Sequence, residues 1–535
     1  MKKTAFFQKY EKWLPLLLAL FFVLLTASNL DSMRNPDELL HRVTKALEGE
    51  WQFDETNFDY PSLPKYVMYG VGQVVYALDR VEDFSSVARF LSVLLGAGTI
   101  FLAYKITRKL GGGILASSFA ALFLISNHTL AVNARFAHND LYLTFFLALT
   151  VYLLLHYQDH QKKGWLYLAF FTVGLAASSK YNGGVFLLMP LLVFAVQKGK
   201  SLFAENLAAL ETLFIGIILT FLGFAAGTPK ALFWMSFYLK RILPALSRHA
   251  SYGKAADSVR GVIGQWGVLQ SALGLMLFLL VLLAFFYFAF KFFKRALKTE
   301  EKKSLWVVLL AILVFDLPIM ASYNYQARFF IPLMPFFAVI SALFIEELYA
   351  QLLKSKFRSY HLVLPLAAGL ILFFAFLQVI SVRLLLANDP RMPAAEMIAS
   401  LPAETSLEYT MYPPAIPSEH FEREHSYPVF FTKFEGQEVP EVGRGKPYKA
   451  FNEGEAGLIK RGTDYIVIDS FTYARCADEN IYATNPVECA FFESLLAGET
   501  SYEMVGEFTY SLPKFLPQIS LAFVNPDVHI FQKGE

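Results

Sequence analysis

The chain has 535 residues, of which 55% are hydrophobic, 16% aromatic and only 17% charged, with a formal net charge of +2. A soluble protein carries about 25% charged residues, so an ordinary water-soluble enzyme is excluded. A charge this near neutrality says nothing about partners, and no nucleic-acid motif appears.

The apolar residues come in blocks close to the roughly 20 residues that span a bilayer. Eleven are expected, in chain order Trp13–Leu30, Ser86–Ile106, Ile114–Leu130, Leu141–Tyr157, Trp165–Ser179, Gly183–Val196, Leu207–Ala226, Val268–Phe292, Leu305–Ser322, Phe329–Leu348 and His361–Leu386. The interruption from Ser179 to Gly183 reads either as a break in one helix or as a tight hairpin. The first block exceeds the apolar core of a signal peptide, and no small-residue cleavage site is evident before Asp31. No periodic repeat stands out.

Lys and Arg set the orientation. Lys2, Lys3, Lys9 and Lys12 place the N-terminus in the cytoplasm. Alternate loops then carry Lys105, Arg108 and Lys109; Lys162 and Lys163; Lys198 and Lys200; a run from Lys291 to Lys303; and Lys354, Lys356 and Arg358. Every loop assigned to the inside is basic. The expectation is a multi-pass protein of a plasma membrane, prokaryotic in style, with the region after Leu386 extracytoplasmic. The core is residues 1–386, with amphipathic outer loops at 31–85 and 227–267. Within the first loop, Pro36–Glu48 and Leu63–Leu78 read as surface helices.

Residues 387–535, roughly 150, suffice for a soluble domain and read as α/β. Ala394–Leu401 is a short helix and Asp464–Asp469 a buried strand. Cys489–Leu496 is a helix, with strands at Tyr502–Phe508 and Val528–Gln532. Cys476 and Cys489 are the only cysteines. Outside the cytoplasm they can form a disulfide if the chain folds back, or stay free thiols.

Polar residues collect at the outer helix ends. Asp37-Glu38 follows the first block. Tyr60-Pro61-Ser62-Leu63-Pro64-Lys65 lies later in that loop. Asn133 to Asp140 joins blocks three and four, Ser178-Ser179-Lys180-Tyr181-Asn182 follows block five, and Tyr323 to Phe330 joins blocks nine and ten. Ionisable groups at membrane depth are costly and usually functional. Simpler roles compete. Asp37-Glu38 or Asp140 can cap a helix, Lys180 and Arg328 can snorkel to headgroups, and Lys65 can bind lipid. His41, His128 and His138 read as capping or hydrogen-bonding histidines. No zinc-like spacing is present, and a divalent metal ion held by carboxylates stays open.

This constellation resembles the GT-C superfamily of membrane glycosyltransferases, and within it the protein O-mannosyltransferase and aminoarabinose-transferase branch. The likeness runs over roughly residues 10–400. It rests on Asp37-Glu38; on Tyr60-Pro61-Ser62, where the family has His-Pro-Pro; and on Ala88-Arg89-Phe90-Leu91-Ser92. It continues through Arg135 with Asp140, Gly174 to Tyr181, and Arg328-Phe329-Phe330-Ile331-Pro332. The resemblance implies a sugar transferred from a polyprenyl-phosphate donor to a glycan, lipid or protein acceptor. It makes Asp37 the catalytic base, with Glu38 and Asp140 beside it. Lys65, Lys180 and Arg328 would meet the donor phosphate. A secondary transporter or lipid flippase is the alternative, although that class shows internal repeats. An oligosaccharyltransferase would carry a Trp-Trp-Asp motif in the outer domain, and none is present.

Overall fold

The computed structural model describes residues 11–31, 35–50, 60–199, 206–242, 261–294, 304–410, 412–417, 421, 426–429 and 454–534. The chain divides into two compact units, Met1–Asp31 with Asp37–Val382, and Ser32–Pro36 with Arg383–Glu535.

The first unit is helical. Its main helices are α1 (Leu14–Thr26), α2 (Leu40–Leu47), α3 (Leu63–Ala77), α4 (Phe84–Lys109), α5 (Ile114–Ile125), α6 (His128–Asn133), α7 (Asp140–His160) and α8 (Lys163–Ser179). They continue as α9 (Leu188–Lys198), α10 (Asn206–Gly227), α11 (Gly261–Leu273), α12 (Leu275–Phe293), α13 (Leu305–Met320), α14 (Met334–Lys354) and α15 (Val363–Ala387). Among the described residues, seven helical stretches are long and apolar enough to cross a membrane, and α1, α5 and α13 are shorter apolar helices. Each of the eleven apolar blocks overlaps a helix. With no water in hydrocarbon, the backbone must satisfy its own hydrogen bonds, and an uninterrupted apolar run does so as a helix. Helix α14 lies within the most buried of the seven stretches, whereas α10 and α15 turn most of their length outward. The interior is packed from residues such as Ile100, Phe123, Leu147, Phe170, Phe315 and Ile340.

Between Ser179 and Gly183 the chain makes a tight reversal. Helix α8 ends at Ser179, Lys180 is extended, and a 3₁₀ stretch, Tyr181–Leu187, leads into α9. Gly183 returns its N–H to the Lys180 carbonyl at 2.8 Å. A Cβ there would lie 2.6 Å from the Ala176 backbone carbonyl, so the turn needs glycine.

The expected helix over Pro36–Glu48 begins later, at Leu40, and ends at Leu47. The reason is tertiary. The Leu39 N–H is taken by the Ala137 carbonyl at 3.1 Å, and Asp37 and Glu38 are drawn to separate partners described below. Leu63–Leu78 forms α3, ending at Ala77. Helices α2, α3 and the start of α4 share a core of Val43, Met68, Val75, Phe84 and Ala88, which also takes in Ala137. Of the loop 227–267, residues 243–260 lie outside the described residues. In the described part Ala231, Tyr238 and Ile242 are buried while Trp234 and Phe237 are exposed.

The second unit is an α/β domain. Among the described residues its sheet has five strands, β1 (Leu407–Thr410), β2 (Ser426–Val429), β3 (Tyr465–Asp469), β4 (Tyr502–Phe508) and β5 (Val528–Lys533), in the order β2-β1-β3-β5-β4. β1 runs parallel to β2 and β3, while β5 is antiparallel to β3 and β4. Strand β3 is buried throughout, which suits a central strand with both faces covered. Ile466 and Ile468 pack with Leu458, Phe492 and Leu495 on one face, and Tyr465 and Val467 with Ala394 and Ile398 on the other. At its end, Asp469 accepts hydrogen bonds from Thr410, Tyr412 and Thr472, although burial still pushes its carboxyl up from its ordinary value. Cys476 and Cys489 are joined by a disulfide, with their Cα atoms 5.5 Å apart.

Helices α8 and α10 approach backbone to backbone. A Cβ on Gly174 would lie 2.1 Å from the Thr220 carbonyl oxygen, and one on Gly223 2.3 Å from that of Phe171. Small residues permit such contacts in membrane bundles. Gly174→Val is expected to cost about 1–3 kcal/mol through overpacking, seen as a lower thermal midpoint of the detergent-purified protein. Gly164→Ala on the same helix meets nothing within 4 Å and should leave that midpoint unchanged.

Candidate functional site

Two buried arginines hold the chain as it leaves α1. Arg135, after α6, donates Nη2 to the Leu25 carbonyl at 2.9 Å and Nη1 to the Ala131 carbonyl at 2.9 Å. Arg89, in the second turn of α4, donates Nη1 to the Leu30 carbonyl. The last carbonyls of a helix have no partner within it, and cations suit that end.

Arg89 also grips Glu38. Its Nε and Nη2 donate to the two carboxylate oxygens, each at 2.9 Å, and Glu38 Oε1 accepts the Ala137 N–H at 2.8 Å. Both side chains are buried, at 3% and 5% exposure. The pair is bidentate, the strongest geometry for such an interaction. It fastens the first loop to the segment leading into α7.

Asp37 has a different partner. Its Oδ2 meets Arg328 Nη2 at 2.8 Å, and its side chain keeps 36% exposure. Arg328 stands at the start of a 3₁₀ stretch, Ala327–Leu333, that leads into α14, and its Nε donates to Gln326 Oε1 at 2.8 Å. Asp140 is the first residue of α7 and is buried. Its Oδ1 accepts from Lys180 Nζ at 2.8 Å, and its Oδ2 faces His138 Nδ1 at 2.9 Å. Lys180 lies over the Phe329 ring, 4.9 Å from its centre. The charges of Asp37 and Asp140 both act on Arg328, so the two ion pairs form one cluster. Tyr60 stands edge-on to His138, with ring centres 6.0 Å apart. Lys65 is fully buried and donates Nζ to the Tyr60 carbonyl at 3.4 Å.

The structure therefore brings Asp37, Asp140, Lys180 and Arg328 together, with Lys65 reaching them through Tyr60. Glu38 is next to this cluster but engaged with Arg89. Two residues carry more than the sequence reading gave them. Arg89 figured only within a likeness, yet a cation inside an apolar run was itself a signal. His138 read as a capping histidine, and the Asp two residues on was its partner. Chemically, the cluster offers one partly exposed carboxylate and two cations at the ends of apolar helices. Among the described residues, no group of three or more His, Cys, Asp or Glu side chains is arranged to hold a metal ion.

The family model for dolichyl-phosphate-mannose-protein mannosyltransferase matches residues 79–239, under a third of the chain. Among solved structures, that of ArnT from Cupriavidus metallidurans bound to undecaprenyl phosphate aligns with a TM-score of 0.54 and 14% identity, over 96% of this chain and 97% of that one. The Archaeoglobus fulgidus oligosaccharyltransferase, tethered to an acceptor peptide, aligns with a TM-score of 0.53 and 14% identity, over 97% of this chain and 76% of that one. The chain has the GT-C glycosyltransferase fold. An uncharacterized protein of Aquifex aeolicus is 32% identical over 116 residues, 22% of this chain and 23% of that protein. That match spans under a quarter of the relative's length. Within this GT-C fold the ion-pair cluster sits where five separate segments of the helical unit meet.

Removing one partner of a buried ion pair leaves the other uncompensated. Glu38→Gln is therefore expected to destabilise the protein by about 3–5 kcal/mol, read as a lower thermal midpoint. The double variant Glu38→Leu with Arg89→Met should cost less than the single one, because no charge is stranded.

Proposed function

We propose that the chain transfers a sugar from a polyprenyl-phosphate donor to a hydroxyl of a glycan, lipid or protein acceptor at the outer face of a membrane. The observation that carries this reading is the joining of the Asp37–Arg328 and Asp140–Lys180 pairs at helix ends within a GT-C fold. ArnT, which shares the fold, was solved with undecaprenyl phosphate bound, and the mannosyltransferase family model covers Asp140 and Lys180. The disulfide between Cys476 and Cys489 favours a C-terminal domain outside the reducing cytosol.

In the proposed reaction the acceptor hydroxyl gives its proton to Asp37 as its oxygen bonds to the anomeric carbon. The bond from that carbon to the phosphate oxygen breaks, and polyprenyl phosphate departs with the electron pair. Attack opposite the leaving group inverts the anomeric centre. Arg328 and Lys180 meet the charge that grows on the phosphate, and a guanidinium can do so through two parallel hydrogen bonds. Lys65, one step back behind Tyr60, adds positive charge to that side.

The resting ion pair has a role in this scheme. At rest the Asp37 carboxylate is engaged by Arg328. A donor phosphate that recruits Arg328 releases Asp37 at the moment a sugar is in place, which limits wasteful reaction with water.

Asp37→Asn should abolish transfer, while the variant still expresses and binds polyprenyl phosphate. The check is release of free polyprenyl phosphate from defined lipid-linked sugars by the purified protein. Turnover by the variant at more than about one hundredth of the normal rate would remove Asp37 as base, since general bases contribute about 10²–10⁴-fold. No release from any donor, together with substrate movement across vesicles, would favour a transporter.

A further inference from the structure

Beside Asp140 lie two side chains that the transfer scheme leaves idle. His138 is 4% exposed and Asn139 is fully buried. Among the described residues, His138 Nε2 and both amide atoms of Asn139 have no hydrogen-bond partner. Buried polar atoms without partners are costly and rare. Here three of them occur on consecutive residues, immediately next to the ion-pair cluster.

The state of the histidine follows from its neighbour. Asp140 already accepts from Lys180 through Oδ1, and its Oδ2 faces His138 Nδ1 at 2.9 Å. With Nδ1 turned to that carboxylate, Nε2 is the ring nitrogen left without a partner among the described residues. The Tyr60 ring stands edge-on to the imidazole. Beside Nε2, the Asn139 amide offers one acceptor and one donor group, all three atoms likewise without a partner. A ring bearing adjacent hydroxyls matches this set, because each hydroxyl both donates and accepts.

We propose that His138 and Asn139 form the subsite that reads hydroxyl groups of the transferred sugar, with Asp140 fixing the imidazole. This rests on the transfer reading above and adds to it the class of sugar: one with free neighbouring hydroxyls at the recognised positions.

The test pairs variants with substrates. Full-length protein in lipid nanodiscs is given polyprenyl-phosphate hexoses and analogues that each lack one hydroxyl. For the unaltered protein, loss of a recognised hydroxyl should lower kcat/KM about tenfold or more, the worth of one strong hydrogen bond. His138→Asn keeps an N–H for Asp140 but has no acceptor at the Nε2 position, so the penalty for one deoxy analogue should shrink to within about twofold. Asn139→Ala should erase the penalty for a neighbouring position. If His138→Asn fails to fold, His138→Gln carries the test, because its amide oxygen reaches the Nε2 position and should retain the penalty. Deoxy penalties unchanged in His138→Asn and Asn139→Ala, or lost in His138→Gln, would overturn the subsite alone. An unaltered protein inert toward every lipid-linked sugar would overturn the transfer reading and the subsite with it.

Discussion

The arrangement of the polar cluster depends on one buried contact, the bidentate pair of Glu38 with Arg89. Among the described residues between α1 and α2 there is no helix or strand. By tying Glu38 to α4 and to the backbone of Ala137, the pair sets the register between the first loop and the start of α7. Asp37, next to this anchored neighbour, pairs with Arg328. A buried ion pair contributes little net stability, because desolvation offsets most of its attraction. Its contribution here is positional.

The adjacent carboxylates therefore have opposite environments. Glu38 is enclosed and bound on both oxygens. Asp37 keeps about a third of its surface open. Asp140 is a third case, buried with a cation on one oxygen and an imidazole on the other. The three carboxylates thus differ in burial and in partner. Side-chain type would not have separated them.

Much of the fold was legible in the sequence because membrane-spanning length is a local property. Each apolar block overlaps a helix, and β3, β4 and β5 lie within a residue of their expected bounds. Asp37, Asp140, Lys180 and Arg328 stood out because charge abuts apolar runs. Partnership was less legible. Glu38 and Arg89 are 51 residues apart, and no local pattern links them. The helix at Pro36 was misplaced for the same reason, since the Leu39 N–H bonds to a residue far along the chain. β1 and β2, four residues each, are too short to show periodicity. His138 was read by itself when its meaning lay in Asp140.

Three elements begin at the cluster: α7 at Asp140, the 3₁₀ stretch at Tyr181 and the 3₁₀ stretch at Ala327. Each turns its first, unbonded N–H groups toward that end, and these carry the positive pole of the element's dipole. The four side chains, two acidic and two basic, cancel in formal charge. The peptide dipoles do not cancel, and so leave a positive potential at that end. An anionic group at that end would meet a favourable field even before any side chain rearranges.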